Sequence, residues 1–159
     1  MASRVPEVIE ALVLLAKTEP AYEAGPDGTG GVVVADGPQV TDSAAPEWLV
    51  VGFDGDPNGD FESAQTVGGW SDLAGGREEE FQITVAAIVN RGDTDVVVAR
   101  RRAYEIGARV EEWLRADPGL GLESMEAAVA GTRLVQDQTD QGAQARLLLV
   151  VAGRGFTGR

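Results

Sequence analysis

Apolar residues recur at three- and four-residue steps in two stretches of this chain and at two-residue steps in several others, and that change of period marks out its elements. From Val5 to Lys17, the residues Val5, Val8, Ile9, Leu12, Leu15 and Ala16 share one helical face. Pro6 suits a first turn and Ser3 can cap it, so an amphipathic helix is expected to run up to, and stop before, Pro20. Tyr22 to Gly31 holds four glycines and a proline and reads as a flexible surface loop. Val32 to Ala35 then reads as a short strand turned by Asp36-Gly37-Pro38, Glu47 to Asp54 as a second strand, and Phe61 to Val67 as a third.

Glu78 to Asn90 carries the clearest period of two, with Phe81, Ile83, Val85, Ala87 and Val89 on one side. Gln82 and Thr84 alternate with that set, but Ala86 and Ile88 follow, so this end of the strand is expected to be covered on both faces, the second by a helix. A long helix is expected from Asp95 to Ala116, with Val96, Ala99, Ala103, Ile106, Val110, Trp113 and Leu114 on its buried stripe. Asp93 or Thr94 can cap it, Asp95 complements its positive end, and Asp117-Pro118-Gly119 closes it. Two strands, Glu123 to Gln136 and Ala143 to Arg154, finish the chain around a turn from Asp137 to Gly142. This order predicts an α+β fold over residues 1–159 as a single domain: a mostly antiparallel sheet with two main helices packed on one side.

Composition narrows the chemistry. The 159 residues include no cysteine and no histidine, which removes disulfides, thiolate nucleophiles, imidazole bases and the usual zinc and iron ligand sets. No cofactor is expected. Thirteen basic residues stand against 26 acidic ones, a net charge of −13, which speaks against tight nucleic-acid binding because phosphate neutralisation needs clustered Lys and Arg. No apolar run is long enough to span a membrane, and Arg4 followed by Pro6, Glu7 and Glu10 is not a secretory signal pattern.

Three local patterns carry candidate chemistry. Asp54-Gly55-Asp56-Pro57-Asn58-Gly59-Asp60-Phe61-Glu62 matches the opening of an EF-hand calcium loop, but the twelfth position is Gln65 instead of glutamate and the flanks read as strands. An exposed turn explains the same residues through their dihedral preferences. Glu78-Glu79-Glu80 reads as a solvated charge run, with no second carboxylate singled out as its partner for acid–base work. Arg100-Arg101-Arg102 reads as a solvated helix face or as a contact with an acidic neighbouring subunit. Trp113 belongs to the helix core face, whereas Trp70, in Gly68-Gly69-Trp70-Ser71, lies in a loop as a core residue or a partner contact.

A set of phrases in fixed order carries a resemblance. They are Val34-Ala35-Asp36-Gly37-Pro38-Gln39-Val40-Thr41, Trp48-Leu49-Val50-Val51-Gly52-Phe53-Asp54-Gly55-Asp56-Pro57, Glu79-Glu80-Phe81-Gln82-Ile83, Gly92-Asp93-Thr94-Asp95, Leu114-Arg115-Ala116-Asp117-Pro118, and Arg133 through Ala143. Together they resemble the tail terminator family of long-tailed bacteriophages infecting actinobacteria, over nearly the whole chain. The loop from Tyr22 to Gly31 is longer than that family's usual connection.

The resemblance implies a lambda-type tail-terminator fold and a non-enzymatic role in the virion, at the tail and neck, after assembly in the host cytoplasm. It also implies a ring of copies of the chain, commonly six, seated on the tail tube protein, where it ends polymerisation. The other side of the ring would meet head-completion and connector proteins, and phage double-stranded DNA would cross the lumen without sequence-specific binding. Under that reading Asp54, Asp56, Asn58, Asp60 and Phe61 in one loop, and Asp137, Gln138, Thr139, Asp140 and Gln141 in another, become candidate subunit or tube contacts, with Trp70 beside them. The alternatives are another neck or tail protein of the same kind of phage, for head completion or the tube itself, and a calcium-binding module.

Overall fold

A computed structural model of the chain describes residues 3–28, 30–38, 45–69, 76–140 and 142–157. Helix α1 spans Val5–Lys17, as the period predicts. Pro6 lies in its first turn, where an amide donor would have no helical partner, and the Ser3 hydroxyl accepts the Val5 N–H at 3.1 Å. Val8, Leu12, Val13 and Ala16 are its buried residues, so Val13 belongs to the buried stripe while Leu15 is only half-buried. A single 3₁₀ turn, Pro20–Tyr22, follows and drives Tyr22 into the core. The stretch expected to be surface loop therefore begins with a buried residue, and its base is closed by the Val32 N–H donating to the Tyr22 carbonyl at 2.9 Å.

The sheet has six strands: β1 Val33–Asp36, β2 Glu47–Val51, β3 Ala64–Gly68, β4 Arg77–Asn90, β5 Met125–Thr139 and β6 Gly142–Thr157, in the order β1-β2-β4-β6-β5, with β3 also on β4. All pairings are antiparallel except β1 with β2. One edge of β4 pairs with β6 along its full length. The other edge is shared in tandem, β3 pairing with Glu79 to Ile83 and β2 with Val85 to Val89. Thr84 sits at the junction, its carbonyl accepting from Gly52 at 2.7 Å and its N–H donating to Ser63 at 3.0 Å. The segment between β2 and β3 therefore leaves the sheet and returns to it at one residue of β4.

Several strand ends differ from expectation because pairing overrides local turn chemistry. β2 stops at Val51 and β3 starts only at Ala64, since the Asp- and Gly-rich stretch between them has no strand to pair with. β5 and β6 conversely extend into the expected turn, Gln138 pairing with Ala143 and Thr139 with Gly142.

Helix α2 spans Val96–Ala116 and is capped by Asp95, whose carboxylate accepts the Val98 N–H at 3.1 Å. Asp93, one of the residues expected to cap, instead accepts the Asp95 N–H at 3.1 Å and pairs with Arg91, and so holds the capping residue in place.

Both helices pack on the same face of the sheet. Val8 and Leu12 of α1 and Ala99, Ala103, Ile106 and Val110 of α2 share one core cluster with Phe81, Ile83, Val85, Leu147, Leu149 and Val151. Each fully buried branched aliphatic side chain there contributes roughly 1.5–3 kcal/mol. Gly107 lets α2 approach closely, since a Cβ on it would lie 2.7 Å from Leu147 Cδ2.

The opposite face of Ala86 and Ile88 is covered, as their sequence implies, but not by a helix. Ala35, Val50, Ala86, Ile88 and Leu148 form a second cluster with Trp48, Phe53 and Val135, under the segment that leaves β2. Gly55, at φ +82°, is packed so closely that a Cβ there would lie 2.7 Å from Ile88 Cδ1, and the Arg146 guanidinium donates to the Asp54 carbonyl at 2.7 Å. Both helices spend their apolar stripes on the other face, which leaves a loop as the cover here.

Candidate functional site

The expected contact residues fall into two groups at one end of the sheet. Asp54, Asp56, Asn58, Asp60 and Phe61 lie in the loop between β2 and β3. Its carboxylates are used locally: Asp54 accepts from the Asp56 N–H at 2.8 Å, Asp56 from Asn58 at 2.9 Å, and Asp60 from Glu62 at 3.1 Å. Among the described residues no group of three or more acidic side chains is placed to hold a metal ion. Phe61 has a left-handed backbone, φ +58°, and stacks on Phe53 with ring centroids 5.4 Å apart, yet remains 48% exposed.

Asp137, Gln138, Thr139 and Asp140 form the tip of the β5–β6 hairpin. That tip is clamped. Ala143 exchanges backbone hydrogen bonds of 2.8 Å with Asp93 and Arg91, Gln138 donates to the Thr94 carbonyl at 3.4 Å, and a Cβ on Gly142 would fall on the Arg91 carbonyl oxygen. The expected turn is thus the end of a paired hairpin, with Asp137, Gln138 and Asp140 exposed. Asp137 pairs with Gln144, two residues along β6 from the Arg146 that holds Asp54, so both groups share one end of the sheet. Trp70 and Gln141 lie outside the described residues.

The triple-glutamate run is not uniformly solvated. Glu79 is 5% exposed and accepts the Arg4 N–H at 2.8 Å, placing a carboxylate at the positive end of α1. Its position two residues before Phe81, on the period that sends Phe81 and Ile83 inward, was the available signal. The arginine run divides three ways: Arg102 pairs with Glu47 at 3.0 Å and Glu105 at 3.1 Å, Arg100 donates to Gln136 at 3.0 Å, and the side chain of Arg101 points to solvent without a partner among the described residues. Arg91, hydrogen-bonded to Asp93, holds that carboxyl down at about 2, helped by the Asp95 N–H.

Two further surfaces stand out, the first widening the exposed helix face read at the arginine run and the second unseen in the sequence. On α2, Val97, Arg101, Tyr104 and Ala108 form an exposed stripe opposite the core face, legible in hindsight from the helical period. At the end of the sheet away from Ile88 a cleft is left open whose lining draws on both faces, since Phe81, Ala127 and Leu114 of the helix-side core also border it. It has a volume of about 820 Å³ and runs from Gln65, Val67, Glu80 and Gln82 across Ala152, Arg154, Glu126 and Ala128 to Glu111, Leu114, Arg115 and Pro118 at the end of α2. Val67 is 69% exposed there.

No protein-family model matches this chain, and no curated protein matches it either. Among the described residues no helix is long and apolar enough to cross a membrane.

Proposed function

We propose that this chain is a tail terminator of a long-tailed bacteriophage, with a fold of the lambda tail-terminator type, acting in the virion as a ring that ends tube growth and joins tail to head. The observation that carries the reading is the one-sided build of the sheet. Both helices cover one face, while the other is roofed at one end by the Asp54–Phe61 loop and open at the other. Such a subunit presents unlike surfaces on its different sides, and a closed ring needs head-to-tail contacts between two different patches.

The ordered phrases from Val34 to Ala143 support the same assignment. The end of the sheet bearing Phe61, Asp137, Gln138 and Asp140 is our choice for the contact with the tube protein. Phe61 is an exposed aromatic held in place by stacking, the kind of anchor that dominates interface energies. A net charge of −13 suits a lumen that passes DNA without gripping phosphates. In this role the chain makes and breaks no covalent bond.

Deleting the gene from its parent phage and imaging the particles tests the reading. Overlong headless tubes beside separate DNA-filled heads are expected. Normal tails with leaking heads would move the role to head completion, and infectious normal virions would sink the phage-assembly reading.

A further inference from the structure

The two surfaces left unexplained by the fold fit one another. The stripe Val97, Arg101, Tyr104 and Ala108 is apolar around a guanidinium with no side-chain partner among the described residues. The open cleft sets Val67, Ala128 and Ala152 beside the Glu80 carboxylate, and its charged lining, Glu80, Glu111 and Glu126 against Arg115 and Arg154, leaves one negative charge in excess. Tyr104 is 46% exposed and Val67 69% exposed, so each patch leaves a large apolar side chain in water. A cation beside exposed apolar groups on one patch, and a cleft with an excess of carboxylate beside exposed apolar groups on another, are complementary in charge and in character.

We infer that the exposed stripe of α2 in one copy of this chain docks in the open sheet cleft of a second copy, with Arg101 meeting Glu80 and with Val97 and Tyr104 seated over Val67, Ala128 and Ala152. The inference rests on the ring reading and supplies its subunit contact. Donor and acceptor are distinct patches: Arg115, which lines the cleft, is eleven residues along α2 from Tyr104, roughly 16 Å at the helical rise. A contact between two different patches is head-to-tail, so it propagates from copy to copy until the rotation closes a ring.

Charge reversal and cross-linking test this independently. Arg101→Glu and Glu80→Arg are each expected to weaken self-association, followed by sedimentation, by roughly tenfold or more, because each sets like charges opposite one another. The double variant, which restores opposite charges with exchanged signs, is expected to regain assembly. Since the chain contains no cysteine, Tyr104→Cys with Ala128→Cys in one chain should give a ladder of covalent oligomers with a short bismaleimide, whereas either single variant should give none beyond a dimer.

An assembly that forms but ignores both charge reversals would overturn the inferred contact and leave the ring standing. The contact is equally overturned if the doubly substituted chain stays uncross-linked at high concentration and on isolated tail tubes. Infectious virions after gene deletion, by contrast, would remove the phage role without touching the contact.

Discussion

Tyr22 puts a phenol into the core and gives its proton a fixed acceptor, the Ile106 carbonyl at 2.5 Å, while its ring meets Trp113 edge-on at 5.9 Å. Burial, reinforced by nearby Glu19, pushes the Tyr22 hydroxyl well above its ordinary value of 10.0. A group whose folded pKa is raised stabilises the fold fully below its unfolded pKa, and that contribution drains away as the pH climbs above it. The wild-type chain should therefore lose stability above about pH 10 in part through this residue. Tyr22→Phe is expected to cost about 1 kcal/mol at neutral pH, from the lost hydrogen bond, and to flatten that alkaline loss. Urea unfolding of both chains at pH 7 and pH 10.5 checks it, and an unchanged alkaline slope in the variant would count against the argument. Glu79 makes a similar point, because a carboxylate next to the α1 N-terminus can be buried when a backbone N–H and a helix dipole receive it.

Elements are held here by neighbours that fix their ends. The first turn of α2 depends on Asp95, which caps it, and on Asp93, which positions Asp95 while Arg91 pairs with it. The hairpin tip of β5 and β6 closes against the same segment through the backbone bonds of Ala143 to Arg91 and Asp93. Asp95→Ala should cost about 1 kcal/mol, the usual worth of a side-chain cap, and lower the melting temperature by roughly 2–4 °C. Calorimetry measures it directly, and a fall below half a degree would show that the tertiary clamp, with no help from the cap, holds this end. β4 illustrates the converse, in which one long strand organises two short ones. β2 and β3 are too short to form a stable sheet between themselves, and each gains its place from half of the β4 edge.

At the scale of the whole molecule, the helix-side core draws on both helices and on strands from across the sheet, whereas the loop-covered cluster adds a smaller apolar layer on the other side of β2, β4 and β6. Because those strands belong to both layers, neither layer can melt without stripping the other's support. Tryptophan fluorescence, sensitive to Trp48 on the loop side and Trp113 on the helix side, is expected to change with far-UV circular dichroism in a single urea transition. Separated midpoints would mean that the loop-side layer opens alone.

Much of this architecture was legible in the order of residues. The period of Val5 to Lys17 and of Val96 to Ala116 dictates two helices, and alternation from Phe81 to Val89 dictates a half-buried strand, because side-chain direction follows from backbone geometry alone. The mixed α+β class followed from that order, and so did the double covering of Ala86 and Ile88. What covers those residues was not legible. A local pattern states that a face is buried but carries no information on which distant segment buries it, and here the Asp- and Gly-rich loop at Gly55 does so in place of a helix. The same holds for the contact residues: composition marks Asp54 to Phe61 and Asp137 to Asp140 as polar turns, while only the strand register brings them to one end of the sheet. The pairing of Thr139 with Gly142, the burial of Glu79 and the open cleft beside Val67 were likewise decided by tertiary structure, since each depends on hydrogen bonds and packing between residues far apart in the chain.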